Sequence, residues 1–172
     1  MMPRPKILDA VLTVLAEQGL AALSVRTVAA AAGVSPAQVQ YYYRTKSDLV
    51  RAGFDHAGEQ FLDDITSAQP GTLADHVGLW LPLDERRERR ARVWLAYAAA
   101  AAVDAELGAA SARLDRDLRG WFIDQGLSEQ AATQLLALID GLTLQCLVLP
   151  MPERSTLVEQ AVVPFLATLA RR

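Results

Sequence analysis

Apolar residues recur along this chain at intervals of three and four positions, which is the period of an amphipathic helix. Stretches with the alternating pattern of a strand are short and few, and Ala and Leu dominate the apolar positions. The pattern therefore predicts an all-α fold of about nine helices. They are expected over residues 4–18, 25–32, from 36, over 46–67, from 73 to before 82, from 84, and over 105–125, 129–149 and 154–170.

Two short helices joined by a tight turn are predicted within residues 24–46. Ser24 is a plausible N-cap for the first helix, and Gly33 can supply the positive φ of a sharp turn. The second helix has a strong start signal, because Ser35, Pro36 and Gln38 stand where a capping box and a first-turn proline are expected. This arrangement is a helix-turn-helix, whose second helix usually reads the DNA major groove.

The second of these helices is predicted to turn a polar, aromatic face outward. At 100° per residue, Val39 and Tyr43 point together toward the core. Gln38 has two possible roles, since its side chain can contact a base or complete the capping box. Side-chain amides can bond to adenine, and Arg can bond to guanine. The predicted outer face carries Ala37, Tyr41 and Arg44, with Gln38 and Gln40 on its flanks.

The helix that follows has its own capping box, from Thr45 to Asp48, and begins with Lys46. A lysine and free backbone N–H groups at a helix start suit a phosphate. The helix is long enough to link two domains. We therefore expect a three-helix helix-turn-helix domain over residues 1–47 and a helical bundle over residues 48–172.

The charge distribution supports a local DNA-binding face. The net charge is −3, but residues 1–53 hold six Lys/Arg against three Asp/Glu, while the remainder holds 11 against 17. A basic N-terminal third fits phosphate binding, since only charges near the phosphates matter. A second Arg cluster over residues 84–92 could be another nucleic-acid patch. The acids interleaved with it favour a solvated helix end.

The helix predicted over residues 129–149 is apolar on most of its circumference, so it needs two partners. A four-helix dimer interface, formed with the last helix, is the simplest solution. Asp140 is unusual there: it could bond across the dimer where helices cross at Gly141, or it could be a polar group for a ligand. The predicted interface residues are Leu135, Ile139, Leu142, Cys146, Phe165 and Leu169.

The sequence offers no support for catalysis or metal binding. His56 and His76 lack a set of metal ligands, and no Ser/His/Asp or Cys/His arrangement is apparent. We expect no catalytic residues, no metal and no cofactor. The single cysteine suits a reducing cytoplasm, and no uninterrupted apolar run is long enough for a membrane partner to be expected.

Residues from about Lys6 to Ala57 resemble a TetR-family DNA-binding domain. The resemblance rests on Gly33-Val34-Ser35, then Val39-Gln40-Tyr41-Tyr42-Tyr43, then Lys46 and Leu49. Gln40 departs from the Tyr that the family often has there. Further along, R-R-A-R-V-W-L-A-Y-A-A-A-A and L-L-A-L-I-D-G-L-T-L-Q resemble the regulatory domain of the branch that includes the choline-pathway repressors.

The resemblance implies an obligate dimeric transcriptional regulator, most often a repressor, with a small-molecule pocket in its C-terminal domain. Residues 48–172 are therefore expected to be the ligand-binding and dimerisation domain. Aromatic residues in that region could line the pocket or be plain core, and a cationic or flat apolar ligand would suit them. The DNA-binding residues expected are Arg26, Thr27, Ser35, Ala37, Gln38, Gln40, Tyr41, Tyr42 and Lys46. The pocket residues expected are Phe61, Trp80, Trp94, Tyr97 and Trp121.

The sequence therefore favours a homodimeric repressor that binds a palindromic operator and is released by a small-molecule effector. The alternative is a helical protein that binds a small molecule or a partner and has no DNA function. An α-helical enzyme has no constellation of residues to support it.

Overall fold

A computed structural model describes residues 3–68 and 71–169, and the all-α prediction is confirmed for them. A 3₁₀ turn at Leu20–Ala22, which the sequence pattern did not indicate, precedes the second helix. The nine helices are α1 (Pro3–Gln18), α2 (Val25–Ala32), α3 (Pro36–Tyr42), α4 (Lys46–Ala68), α5 (Leu73–Trp80), α6 (Glu85–Ala101), α7 (Ala105–Asp124), α8 (Glu129–Val148) and α9 (Met151–Leu169).

Side-chain caps explain where several helices begin. Thr72 accepts from the Asp75 amide at the start of α5, and Ser128 accepts from the Ala131 amide at the start of α8. Asp104 caps α7 by accepting from the backbone N–H groups of Glu106 and Leu107. These caps satisfy N–H groups that a helix cannot bond internally.

The last helix differs from its predicted bounds. It begins at Met151, not Arg154, so the break expected through Pro152 is wrong. A proline is tolerated in the first helical turn, where its missing N–H would have no intrahelical partner. Pro164 lies inside α9 without interrupting it. The predicted break at residues 69–71 and the predicted end at residue 170 fall partly outside the described residues.

The chain forms two compact units. Unit 1 comprises the described residues up to Ala68 together with Arg92–Val103, and unit 2 comprises the described residues from Gly71 to Ala91 together with those from Asp104. Helix α6 is continuous, and its first seven residues belong to unit 2 and the rest to unit 1. The functional division at residues 47 and 48 stays a prediction.

The core of unit 1 is built by α1 packing against α2 and α4, with α2 against α3. The side chains that meet there are apolar and at most 2% exposed, so burial of this surface is the main force holding the helix-turn-helix together. They include Ile7, Val11, Val14, Leu15, Leu23, Val28, Val39 and Leu49.

Tyr97, expected in a ligand pocket, is bonded to the backbone of α4 within unit 1. Its hydroxyl donates to the Val50 carbonyl at 3.0 Å, and its ring meets Phe54 edge-on at 5.3 Å. The residue is 4% exposed, and burial raises the pKa of its phenol. The Tyr97 side chain therefore ties the C-terminal half of α6 to α4.

Burial corrects four of the predicted dimer contacts. Leu135, Ile139, Leu142 and Cys146 are at most 3% exposed inside one protomer, where α8 packs against α7 and α9. A side chain already covered by its own chain offers no surface to a partner. Phe165 and Leu169 on α9 are partly exposed. The apolar surface that α8 presents to solvent instead includes Ala137, Leu144 and Val148.

Helix α8 is also the one helix among the described residues that is long and apolar enough to cross a membrane by length and composition. Within the single chain, 44% of its apolar window is buried. The core helix of a globular protein passes the same test, so this is weak evidence for a membrane.

The charged start of α6 is more ordered than a solvated helix end. Arg87 donates to the Gly78 carbonyl at 2.6 Å and Arg90 to the Leu79 carbonyl, so both satisfy the C-terminal end of α5. Arg87 also pairs with Asp84 at 2.6 Å. Burial opposes ionisation of Asp84, but the bonds from Arg87 outweigh it and lower the pKa of that carboxyl.

Arg154 of α9 is a buried cation that sequence reasoning missed. It is 4% exposed, and its guanidinium lies 2.7 Å from the Glu88 carboxylate. It also donates to the carbonyls of Pro82 at 2.9 Å and Leu149 at 3.1 Å. One side chain thus joins α6, the loop before it and the α8–α9 connection.

Candidate nucleic-acid interface

The turn between α2 and α3 has the geometry that the sequence predicted. Gly33 adopts φ 60° and ψ 42°, a left-handed conformation that favours glycine. Its N–H bonds to the Ala30 carbonyl, and the Val34 N–H bonds to the Ala29 carbonyl at 3.0 Å. These two bonds form a Schellman motif, which ends α2 sharply and directs the chain into α3.

Helix α3 begins with a complete capping box. The backbone N–H of Gln38 donates to Ser35 Oγ at 3.2 Å, and the backbone N–H of Ser35 donates to the side-chain oxygen Oε1 of Gln38 at 2.9 Å. The cap that the sequence left open for Gln38 is therefore formed. Gln38 remains exposed, and the NH₂ end of its side chain is not used by the box.

The outer face of α3 agrees with the phase predicted from the sequence. Val39 is fully buried and Tyr43 is 4% exposed, whereas Tyr41 is 81% exposed. The Tyr41 ring meets the half-buried Tyr42 ring edge-on at 5.1 Å, which restricts its direction. The remaining residues of the predicted face, Ala37, Gln38, Gln40 and Arg44, are all exposed.

Two of the predicted DNA contacts lie at the start of α2, and they differ in how accessible their side chains are. Arg26 is exposed, whereas the Thr27 hydroxyl is part of a capping box. Thr27 Oγ1 lies 2.8 Å from the Ala22 carbonyl oxygen and accepts from the Ser24 amide at 2.9 Å. A phosphate contact through this hydroxyl would have to break the bonds that hold α2 to the 3₁₀ turn.

The start of α4 places a cation beside that turn. Lys46 is exposed, and its Nζ lies 3.5 Å from the Leu20 carbonyl, a long bond that leaves other N–H groups to bind elsewhere. Thr45 and Asp48 form the predicted capping box, with both amide bonds at 3.0 Å. Hydrogen bonds from Thr45 lower the pKa of Asp48, so this carboxylate stays ionised at neutral pH.

Lys6 is a further cation that sequence reasoning did not single out. Its Nζ lies 3.7 Å from the point where a Cβ on Gly33 would stand, so the ammonium group reaches the helix-turn-helix turn. Lys6 and Lys46 are the two lysines of the chain. With the phenol and the amides of α3, and with Arg44 just beyond the end of that helix, they form a surface of donors and cations suited to the edges and phosphates of a DNA groove.

In unit 2, an aromatic cluster joins α5 to α7. Trp121 lies 6.2 Å from Trp80 and 5.2 Å from His76, measured between ring centroids. Phe122, which is fully buried, lies 5.1 Å from Trp80. Two of the predicted pocket aromatics thus come together, with Phe122 and His76 added to them. Phe61, Trp94 and Tyr97 belong to unit 1.

Asp140 of α8 is a half-buried carboxyl near two charges of α7. Burial and the neighbouring Asp115 raise its pKa to about 6, against the opposing effect of Arg119. No atom lies within 4 Å of a Cβ placed on Gly141, so no helix of the same protomer crosses closely at that glycine. Among the described residues, no three His, Cys, Asp or Glu side chains are grouped to hold a metal.

Family models match most of the sequence. Residues 71–171 match the model of the C-terminal part of BetI-type transcriptional repressors. Residues 7–52 match that of the tetR family of bacterial regulatory proteins.

The chain belongs to the TetR family of transcriptional regulators. The family resemblance inferred from the helix-turn-helix is thereby confirmed, and so is that of the C-terminal part. TetR-family proteins are DNA-binding regulators and not enzymes, so this chain is a DNA-binding transcription regulator.

Solved structures of similar fold include other regulators of this kind. A transcriptional regulator from Rhodococcus sp. Rha1 shares 28% identity at a TM-score of 0.87, over 99% of this chain and 97% of that one. A TetR-family member from Streptomyces coelicolor A3 shares 26% identity at a TM-score of 0.73, over 94% of this chain and 98% of that one.

A third similar structure is the multidrug binding protein EbrR in complex with imidazole. It shares 27% identity at a TM-score of 0.69, over 94% of this chain and 88% of that one. The same protein is also known in complex with ethidium. No curated protein matches the sequence.

Proposed function

We propose that this TetR-family protein is a homodimeric repressor that binds a palindromic operator and is released by a small-molecule effector. The observation that carries the proposal is the exposed face of α3. Tyr41 is 81% exposed and is flanked by exposed amides and an Arg. It lies on a short helix that follows the Gly33 turn and begins with the Ser35 capping box. Such a rigid polar ridge suits the major groove.

The contacts that we assign follow from exposure and chemistry. Arg26, Ala37, Gln38, Gln40 and Tyr41 are the base-facing set, and the Tyr42 hydroxyl and Lys46 bind phosphate. Ser35 contributes by capping α3, and Thr27 contributes by holding α2 to the 3₁₀ turn. DNA binding is assigned to residues 1–47, and the remaining chain is assigned to effector binding and dimerisation.

Dimerisation is assigned to the solvent-facing side of α8 with α9. Val148 is 83% exposed, Leu144 is 46% exposed, and Val163 of α9 is 57% exposed, although all three are apolar. Ala137 and Gly141 fall on the same side of α8 and would allow a second helix to approach closely. A helix-turn-helix dimer places its two recognition helices one DNA turn apart, about 34 Å.

The effector is assigned to the C-terminal domain and is expected to be flat or cationic. The support is the cluster of Trp80, Trp121 and His76 in unit 2, because aromatic faces attract such ligands. EbrR, a relative of similar fold, binds imidazole and ethidium. Binding of the effector shifts the population toward dimers whose recognition helices no longer match the half-site spacing. The protein acts in the cytoplasm.

The test is selection of bound duplexes from a random pool by the full-length protein at low salt, followed by anisotropy titrations of the selected site. A palindromic motif with two half-sites, bound at nanomolar to micromolar concentrations, is the expected result. Compounds are then screened for release of that site. If no motif is enriched, the repressor proposal fails, and a helical ligand-binding protein without DNA function becomes the better description.

A further inference from the structure

We propose that Gln38 reads guanine, because its capping bond converts the side-chain amide into a group that can only donate. This inference rests on the proposed DNA-binding function and specifies the base preference of one residue within it. Gln38 lies on the outward flank of α3 and is exposed, so its free end is available to a base edge.

The orientation of the amide is dictated by its partner. The Ser35 backbone N–H can only donate, and it lies 2.9 Å from the Gln38 side chain, so the atom that faces it must be the carbonyl oxygen. The NH₂ group would place two donors against each other in that position. The assignment of oxygen and nitrogen therefore follows from chemistry.

The capping box also engages that oxygen. Gln38 Oε1 accepts from the Ser35 backbone N–H at 2.9 Å and, in a longer bond, from the Ser35 hydroxyl at 3.3 Å, so the oxygen is turned toward the cap. The backbone N–H of Gln38 in turn donates to the same hydroxyl at 3.2 Å. What remains for DNA is an NH₂ group with two N–H donors and no acceptor.

A donor-only amide prefers a different base from a free amide. A free Gln bonds adenine with both ends, accepting from N6–H₂ and donating to N7. With its oxygen occupied, it finds one acceptor at adenine N7 beside a repelling N6 donor, one acceptor at thymine O4, and only a donor at cytosine N4. Guanine offers O6 and N7 side by side as acceptors for the two N–H groups. Guanine is therefore the base that fits best.

The decisive variant is Gln38→Glu. A Glu at this helical position also completes a capping box with Ser, so one carboxylate oxygen keeps the bonds to Ser35. The other oxygen replaces the NH₂ group, which changes a donor into an acceptor at the same place. Such a group prefers the N4–H₂ donor of cytosine. Gln40→Glu is the matched comparison, because it adds the same charge to the same helix outside the capping box. Gln40 belongs to the base-facing set itself, so its substitution should change a different position of the motif.

The experiment selects random duplexes with the full-length wild type, Gln38→Ala, Gln38→Glu and Gln40→Glu. We expect Gln38→Ala to relax one position per half-site that is guanine in the wild-type motif. Gln38→Glu should turn that position to cytosine, and Gln40→Glu should leave it guanine. In direct titrations, wild type should lose roughly fivefold or more in affinity when this guanine becomes adenine, and Gln38→Ala should lose less.

Two results would overturn the inference while leaving DNA binding intact. The relaxed position could be adenine in the wild-type motif, which would show that Gln38 leaves its cap on binding. Alternatively, Gln38→Ala could relax no position, which would show that the residue only caps. If the wild type enriches no motif, the proposed function itself fails, and this inference fails with it.

Discussion

The Tyr97 hydroxyl oxygen lies 2.5 Å from the point where a Cβ on Gly53 would stand. Val11 Cγ1 lies 2.6 Å from the same point. Gly53 thus forms a notch in α4, where Val11 of α1 and Tyr97 of the C-terminal half of α6 approach the helix backbone closely. Glycine has no side chain to occupy this space, which allows Tyr97 to reach the Val50 carbonyl.

Gly53→Ala is expected to destabilise the protein by about 1–3 kcal/mol, since the added methyl overpacks a closed contact. Gly58→Ala on the same helix is the control. Nothing lies within 4 Å of a Cβ there, so it should raise stability by about 0.4–1 kcal/mol. Urea unfolding of both variants measures the free energies. Equal changes in the two would show that the Gly53 notch is not a constraint.

Arg154→Met is expected to lower stability by about 3–5 kcal/mol. It removes the cation from a partly buried Glu88 carboxylate and the donor from the carbonyls of Pro82 and Leu149. The double variant Arg154→Met with Glu88→Gln should recover part of that loss, as denaturant unfolding would report. A single-variant loss below about 1 kcal/mol would mean that the ion pair contributes no more than a surface pair.

Asp140→Asn is expected to stabilise the protein at pH 7.5 by about 1 kcal/mol, a figure reduced to allow for the partial exposure of the residue. Because burial raises the pKa of Asp140 to about 6, the folded state binds more protons than the unfolded state between about pH 4 and pH 6. The folded state favours the protonated Asp140 carboxyl. The stability of the protein is therefore highest, as far as this group is concerned, below about pH 4, and it falls as the pH rises through 6. The advantage of the variant should vanish near pH 4 in thermal unfolding, and a pH-independent difference would contradict this cause.

Lys46→Ala is expected to weaken binding of selected and random DNA alike. The slope of log affinity against log salt should shrink by about one unit per bound subunit, since one phosphate contact is lost. Arg116→Ala removes an exposed cation from α7 in unit 2 and should leave the slope unchanged. Anisotropy titrations at several salt concentrations give both slopes, and an unaltered slope for Lys46→Ala would refute the phosphate role.

Val148→Glu is expected to dissociate the proposed dimer. The substitution would bury a carboxylate in an apolar interface, at a cost of about 2 kcal/mol or more. Val103→Glu makes the same chemical change at a valine that is 89% exposed in the α6–α7 connection, and it should remain dimeric. Sedimentation velocity distinguishes the two. A dimer of Val148→Glu that is as tight as wild type would move the interface away from this side of α8.

The helix-turn-helix could be predicted closely because its determinants are local. Ser24, Gly33 and Ser35 act on backbone groups within a few residues of themselves, and the phase of α3 follows from the helical period alone. The family resemblance rests on the same short stretch. Even there, the role of Gln38 needed coordinates, because both a cap and a base contact were compatible with its position.

What only the tertiary structure decided involves residues far apart in the sequence. Tyr97 is 47 positions from Val50, and Arg154 is 66 from Glu88, so no local pattern could pair them. The same holds for α8, whose period indicated two apolar faces without showing which neighbour covers each. Burial placed Leu135 and Ile139 inside and left Val148 exposed. Helical period and capping chemistry act over one or two turns, whereas the choice of packing partner depends on the complete three-dimensional arrangement.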